Sequence, residues 1–310
     1  GNTRVTLARD TVVRVRPARW RDLDVVFATG EITGTVRYHT GLHAEGLRHP
    51  KDLIVWLPPS YGSDTARRYP VLYMHDGQNI IDPTTSFVGF DWRVDEVVDS
   101  LIRAGAIREI IVVGISNSSD RTAEYSDTKL GRAYARFIVK EVKPFIDREY
   151  RTFPEREHTA VMGSSMGGLI SFLLAWWHPE VFSMAGCLSS AFLVDNNRIL
   201  KEVRSYAGPK KPVRFYLDCG SLDLEERLLP GSEEMAEILR TKGYIEGGDL
   251  VYFYDEGAAH NEPAWANRLW RPLAWFFASP NTHNPEQEDV HAVCQRVRLQ
   301  GMQETVFVEN

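Results

Sequence analysis

Thr159-Ala160-Val161-Met162-Gly163-Ser164-Ser165-Met166-Gly167-Gly168-Leu169-Ile170 is the stretch on which the fold turns. Its first four residues read as a short strand, and Gly167 to Trp177 reads as a helix. Between them lies Gly163-Ser164-Ser165-Met166-Gly167, a G-x-S-x-G pattern in the strand-to-helix setting that the pattern requires. A chain that turns this sharply must hold the central serine in a strained backbone conformation. Small residues two positions to either side let strand and helix approach closely. Ser165 is therefore the candidate nucleophile, and Gly168 gives further room.

Outward from this turn, strand and helix patterns alternate. Tyr69–Met74, Glu109–Ile115, Phe182–Leu188, Val213–Leu217 and Leu250–Tyr254 read as strands. The apolar runs among them are expected to be buried on both faces. Trp92–Ala104, Tyr134–Tyr150, Ser232–Lys242 and Ala264–Phe277 have helical spacing, with a break expected at Pro144. Such alternation from about residue 69 onward predicts a mostly parallel sheet covered by helices on both faces, an α/β architecture. Upstream, Thr11–Arg16, Asp22–Ala28, Gly34–His39 and Lys51–Leu57 read as strands joined by short connections, so an antiparallel opening is expected. Neither an internal repeat nor a linker is evident. We read residues 1–310 as one domain: a core over about 50–278, N-terminal strands over 1–49, and a polar tail over 279–310. The tail closes on Thr305-Val306-Phe307-Val308, a strand-like run that allows a homodimer.

A serine hydroxyl is a weak nucleophile and needs a base within hydrogen-bond reach. Downstream histidines are His178, His260, His283 and His291. His178 belongs to the helix after the turn or its end and points away, and the last two lie in the tail. His260 sits in a loop after the last core strand and before a helix, which suits a general base. The acid should follow an earlier strand. Asp223, on the loop after Val213–Leu217, is the choice, and Asp218, Glu225 and Glu226 are the alternatives. The oxyanion hole needs two N–H donors. Met166, following the nucleophile at a helix start, should supply one, and Gln78 in the loop His75-Asp76-Gly77-Gln78-Asn79 the other, with Gly77 permitting an unusual backbone angle. His75 and Asp76 precede the serine, against the chain order Ser, acid, His, and read as loop-ordering residues. Trp92, Asn117, Arg121, Glu124 and Tyr125 lie on segments expected to line the cleft and are candidate substrate contacts.

These residues together resemble a known family. Leu57-Pro58-Pro59-Ser60-Tyr61, Tyr69–Tyr73, His75–Asn79, Gly163–Gly168 and His260-Asn261-Glu262 look like the esterase family that includes enterochelin esterases, feruloyl and acetyl-xylan esterases, S-formylglutathione hydrolases and mycolyltransferases. The resemblance covers about residues 50 to 278. It implies the α/β-hydrolase fold and a carboxylic-ester hydrolase with no metal or other cofactor. It places the family's serine on Ser165, its acid on Asp223 and its histidine on His260. Many members have His-Gly where this chain has Asp76-Gly77, which bears on the second oxyanion donor. The implied reaction is acyl transfer through Ser165 to water. An acyltransferase, and a binding module that kept only the fold, are the rival readings.

Composition narrows the partners. The chain of 310 residues is 43% hydrophobic and 25% charged with a formal net charge of −6, so no basic nucleic-acid footprint is expected. No apolar run of the length that spans a membrane is present, and no membrane association is expected. A small-molecule or carbohydrate-linked ester is the expected partner. Cys187, Cys219 and Cys294 are far apart and form no C-x-x-C pair, and three free thiols are the simplest reading. His39, His43, His49 and Glu45 cluster in sequence but match no zinc spacing and read as loop residues. The compartment is left open.

Overall fold

The computed structural model describes residues 32–86 and 89–279. Eight strands form one sheet: β1 (Thr35–Leu42), β2 (Lys51–Leu57), β3 (Val71–His75), β4 (Ile111–Ile115), β5 (Thr159–Ser164), β6 (Met184–Leu188), β7 (Arg214–Cys219) and β8 (Leu250–Tyr254). Their spatial order is β1-β2-β4-β3-β5-β6-β7-β8. β1 pairs antiparallel with β2, and β2 antiparallel with β4, as the short early connections predict. All other pairs are parallel. The expected strands over Thr11–Arg16 and Asp22–Ala28, the tail's Thr305–Val308, and Cys294 lie outside the described residues.

The apolar runs become strands buried on both faces because helices cover both sides. Every residue of β3 is buried, and Leu72, Tyr73 and Met74 are wholly inaccessible. Each such side chain contributes on the order of 2 kcal/mol relative to exposure. One face carries α3 (Lys129–Phe137), α4 (Lys143–Glu149), α5 (Met166–Trp177), α6 (Val194–Ser205) and α7 (Glu225–Thr241). The other carries α1 (Val94–Arg103), α8 (Glu262–Arg268) and α9 (Trp270–Phe277). A short helix, α2 (Arg121–Glu124), follows β4.

Several boundaries differ from the sequence reading for physical reasons. The helix expected over Tyr134–Tyr150 starts earlier, at Lys129, because the Thr128 hydroxyl caps it by accepting from the Gly131 N–H at 3.0 Å. Pro144 cannot donate, and the helix passes through one wide turn at Ile138–Val142 before resuming as α4. The helix expected from Ser232 begins at Glu225 and runs through Pro230. The pattern expected over Ala264–Phe277 splits at Leu269 into α8 and α9. α6 was not expected. Asp195, Asn196 and Asn197 at its start have left-handed backbone angles, so only its later turns, with Ile199, Leu200 and Val203 buried, carry a helical pattern.

The topology also locates the cleft. β3 is flanked by β4 on one side and β5 on the other, so the chain leaves β3 in one direction and returns in the opposite one. Loops at the carboxyl ends of β3, β4 and β5 diverge there and leave a crevice.

Candidate active site

Ser165 adopts φ 57° and ψ −120° at the junction of β5 and α5. A non-glycine residue in such a region costs about 1–3 kcal/mol, so its surroundings must impose it. They do: the Ser165 N–H donates to the Leu188 carbonyl at 3.0 Å, and the Ser165 carbonyl accepts from Ala191 and Leu169, each at 3.1 Å. The neighbouring glycines are needed for space. A Cβ on Gly163 would lie 2.7 Å from the Gly167 carbonyl, and one on Gly168 would lie 2.2 Å from the Ser190 hydroxyl and 2.9 Å from the Leu188 carbonyl. The local backbone is thus the tight strand-to-helix turn that the motif implies.

His260 stands in the loop between β8 and α8 and shares a cavity of about 230 Å³ with Ser165. No direct hydrogen bond joins the two side chains. Such bonds are often long in unliganded sites. The imidazole packs edge-on against Trp265, with ring centres 4.9 Å apart. Its Nδ1 lies 3.1 Å from the Oε1 of Glu225.

That contact involves a residue other than Asp223, the expected acid. Asp223 has φ 58° on the tight turn before α7, is exposed, and makes no hydrogen bond among the described residues. Glu225, two residues later, is the first residue of α7 and is fully buried against the end of β7. The turn that throws Asp223 outward swings Glu225 inward. Ser221 and Leu222 N–H groups both donate to the Ala258 carbonyl, at 3.0 and 3.1 Å, which ties this turn to the His260 loop. A Cβ on Gly220 would sit 2.4 Å from that same carbonyl, so glycine is required there for close approach.

Four donors converge on the Glu225 carboxylate. Oε1 faces His260 Nδ1 and accepts from the Ser189 hydroxyl at 2.5 Å. Oε2 accepts from the Cys219 thiol and the Gly220 N–H, both at 2.9 Å. Burial alone would raise its pKa, but these bonds outweigh it and hold the group at about 2. Asp218, a rival for the acid, instead faces Arg268, whose Nε lies 3.1 Å from its Oδ2. The Arg268 Nη2 also donates to the Ser189 hydroxyl at 2.6 Å and lies 3.8 Å from Glu225 Oε1.

The loop after β3 forms another wall. Asp76, at φ 57°, supplies the left-handed angle there. Gly77, expected to do so, is needed for closeness: a Cβ on it would lie 2.6 Å from the backbone of Gly114 and Ile115 in β4. Asp76 takes a two-pronged ion pair from Arg121, Nε to Oδ1 and Nη2 to Oδ2 at 2.7 Å each, and a bond from Asn117 Nδ2 at 2.6 Å. His75 is buried, paired with the Tyr134 hydroxyl at 2.9 Å, and burial pushes its pKa down to about 3. Both side chains are held by these contacts, and Asp76 also lines the cavity with Ser165 and His260. The Gln78 side chain accepts from the Asn117 N–H at 3.2 Å, while the backbone N–H groups of Gln78 and Met166 meet no acceptor among the described residues.

The expected substrate contacts divide. Trp92 and Arg121 line the cavity with Ser165 and His260. Asn117 does not, because its amide is spent on Asp76. Glu124 is wholly buried beneath the loop, where it pairs with Lys51 at 2.5 Å and accepts from the Ser118 hydroxyl, and Tyr125 is buried too. Both are structural. The sequence reading missed Asp76, Asn79, Ser164, Glu262 and Trp265 as cavity residues. In the sequence Glu262 was legible only within His260-Asn261-Glu262, and Trp265 only as part of the helix expected from Ala264. Burial, with Asp76 adding to it, raises the Glu262 pKa.

His39 bonds to the Tyr150 hydroxyl and His49 to the Ser119 hydroxyl, so each has a structural partner. Among the described residues, Asp91, Asp95 and Glu96 hold carboxylate oxygens within 4.8 Å of one another at the start of α1. Cys187 and Cys219 are buried free thiols, and no helix among the described residues is long and apolar enough to cross a membrane.

Comparison with known proteins agrees with this geometry. The family model described as "Putative esterase" matches residues 44–276. An endo-1,4-beta-xylanase/feruloyl esterase from Xylanibacter ruminicola is 27% identical over 225 residues, covering 69% of this chain and 28% of that protein. A solved ferulic acid esterase superposes with a TM-score of 0.66 at 23% identity, over 79% of this chain and 98% of its own. The enterobactin esterase of Shigella flexneri superposes with a TM-score of 0.65 at 15% identity, over 81% of this chain and 61% of its own. With a family match across three-quarters of its length and the α/β-hydrolase sheet on which to place it, the chain belongs to this esterase family and is an ester hydrolase.

Proposed function

We propose that the chain is a serine carboxylic-ester hydrolase in which Ser165, His260 and Glu225 act through an acyl-enzyme. The observation that carries this reading is the 3.1 Å contact between His260 Nδ1 and the buried Glu225 carboxylate, beside a serine on a strained turn in the same cavity. An ionised Glu225 accepts from Nδ1–H, which leaves Nε2 unprotonated and able to act as base.

In the first half-reaction, Ser165 Oγ attacks the ester carbonyl and its proton passes to His260 Nε2. The carbonyl oxygen becomes an oxyanion, for which the Met166 and Gln78 N–H groups are the donors we assign. Met166 opens α5, so the helix dipole favours negative charge there. The tetrahedral adduct expels the alcohol, which takes the proton from His260, and the acyl group remains on Oγ. Water then gives a proton to His260, attacks the acyl carbonyl, and releases the acid as Oγ recovers its proton. Glu225 keeps its charge throughout and stabilises the imidazolium.

The test is hydrolysis of p-nitrophenyl esters from acetate to octanoate by wild type and Ser165→Ala, with fluorophosphonate labelling of both. We expect turnover in wild type, a loss of about a thousandfold or more in the variant, and labelling of wild type alone. An unchanged rate in Ser165→Ala would remove the serine from the mechanism.

A further inference from the structure

The charges around the cavity are unevenly matched. Arg121 gives two of its five N–H donors to Asp76 through bonds of 2.7 Å, so the two charges of that pair cancel. Opposite them, Glu262 follows His260 by two residues and opens α8. Its Oε1 accepts from Asn79 Nδ2 at 3.3 Å, the one side-chain donor it meets among the described residues. Donation to Glu262 orients the Asn79 amide and leaves its Oδ1 buried without a partner. The Asn79 backbone is pinned as well: its N–H donates to Asp76 at 2.8 Å and its carbonyl accepts from Trp92 at 2.9 Å. The cavity that holds the reacting serine is thus lined by one acceptor without a donor, Asn79 Oδ1, and by a Glu262 carboxylate with a single side-chain donor among the described residues. A buried acceptor left unpaired is costly, so a bound molecule that supplies a donor is favoured over one that does not. A second carboxylate brought against Glu262 would be repelled.

We propose that Glu262 and Asn79 determine specificity, forming an acceptor pair that selects esters carrying a hydroxyl near the scissile bond and rejects esters carrying a carboxylate there. This rests on the reading of Ser165 and His260 as nucleophile and base. The hydroxyl can lie on either side of the ester, so two matched series are needed. The acyl series is the p-nitrophenyl esters of butyrate, 3-hydroxybutyrate and hemisuccinate, each corrected for spontaneous hydrolysis. The alcohol series is the acetates of propanol, propane-1,3-diol and 3-hydroxypropanoate, followed by pH-stat.

In at least one series, wild type should prefer the hydroxylated member over the plain one by about tenfold in kcat/KM, and over the acidic one by about a hundredfold. Glu262→Gln keeps the shape and removes the charge, and should narrow the hydroxyl-to-carboxylate ratio about tenfold or more. Asn79→Ala should weaken the hydroxyl-to-plain ratio and retain rejection of the carboxylate. Circular dichroism of each variant separates misfolding from altered selectivity. Ratios that match wild type in both folded variants, or a wild type without hydroxyl preference in either series, would overturn the proposal while plain-ester turnover leaves the serine reading standing. Absence of hydrolysis of every ester would overturn both.

Discussion

Replacing Glu225 by glutamine tests the acid directly, because the change keeps the volume and removes the charge. The carboxylate uses each oxygen as a double acceptor: Oε1 toward His260 and Ser189, Oε2 toward Cys219 and Gly220. A glutamine must place an NH2 group at one of them. At Oε2 it would face the Gly220 N–H, a backbone donor that cannot turn away. At Oε1 it would face His260 and Ser189, which can adapt: the hydroxyl rotates, and the imidazole moves its proton to Nε2. The second arrangement is therefore favoured, and it puts the proton on the nitrogen that should receive one from Ser165. A base held in the wrong tautomer loses about 10⁴ in kcat in the serine-protease template, and we expect a loss of about 10³–10⁴ in Glu225→Gln. The stability cost has a sign as well. The carboxyl pKa falls from 4.5 to about 2 on folding, equivalent to roughly 3 kcal/mol. A depressed acid contributes above its unfolded value and loses that contribution as pH falls toward 2. The stability difference between wild type and variant should therefore be full at pH 7 and shrink below about pH 4. Turnover of p-nitrophenyl butyrate by wild type, Glu225→Gln and Asp223→Asn, with urea unfolding at pH 7 and pH 3, reads both effects. Asp223→Asn should stay within a few-fold of wild type. If it lost as much activity as Glu225→Gln, the assignment of the acid would be refuted.

Other parts of the structure respond to simpler changes. Gly168→Ala places a Cβ 2.2 Å from the Ser190 hydroxyl and 2.9 Å from the Leu188 carbonyl. It should destabilise by about 1–3 kcal/mol, read as a Tm several degrees lower, with partial recovery on adding Ser190→Ala; an unchanged Tm would mean that the turn has slack. At the start of α1, burial and the neighbouring Glu96 raise Asp95 from 3.8 to about 8. A raised acid contributes stability below its unfolded value and loses it as pH rises through the folded one. Wild type should therefore lose Tm between about pH 4 and pH 8. Asp95→Asn keeps an acceptor for the Thr33 N–H and should flatten that fall. Parallel curves for the two proteins would show that Asp95 is not the titrating group.

Much of the fold was legible because its signals are local. Lys51–Leu57 and Leu250–Tyr254 became strands with the bounds that their apolar runs implied, and the serine turn announced itself through glycines whose added Cβ atoms would collide. What failed were features that depend on three-dimensional closure. The helix expected from Ser232 starts at Glu225 and tolerates Pro230, which puts the acid we propose on a helix and not on a loop. Asp223 looked right by spacing, but its left-handed backbone turns it into solvent. Glu124 looked like a cleft residue because it follows a strand. Lys51, seventy-three positions away, draws it into the interior instead. Glu262 could not be read as a cavity wall without knowing that α8 begins immediately after the histidine loop.

The placement of Glu225 also accounts for the charges buried behind it. Asp218 and Glu225 are fully buried, and Arg268, only 2% exposed, spans both, at 3.1 Å from the first and 3.8 Å from the second. With both carboxylates ionised against one guanidinium the resting cluster carries one net negative charge, and burial raises the Asp218 pKa against that state. Half-buried Asp255, 3.7 Å from Arg268 Nη1, adds to the same sign. A cluster held that way is costly at rest, and a buried guanidinium shared between acids lowers the cost without removing it. In the proposed mechanism, protonation of His260 during attack supplies the missing positive charge 3.1 Å from Glu225. Two opposite unit charges near 4 Å attract by about 4 kcal/mol at an effective dielectric of about 20, so the cluster binds the imidazolium more tightly than the neutral ring. That difference exists only once the proton has left Ser165, which is when stabilisation lowers the barrier. On this reasoning Arg268 is a positioning residue that tunes how negative the cluster is, and the electrostatic half of the site lies in β7, α7 and α8 rather than at the serine turn.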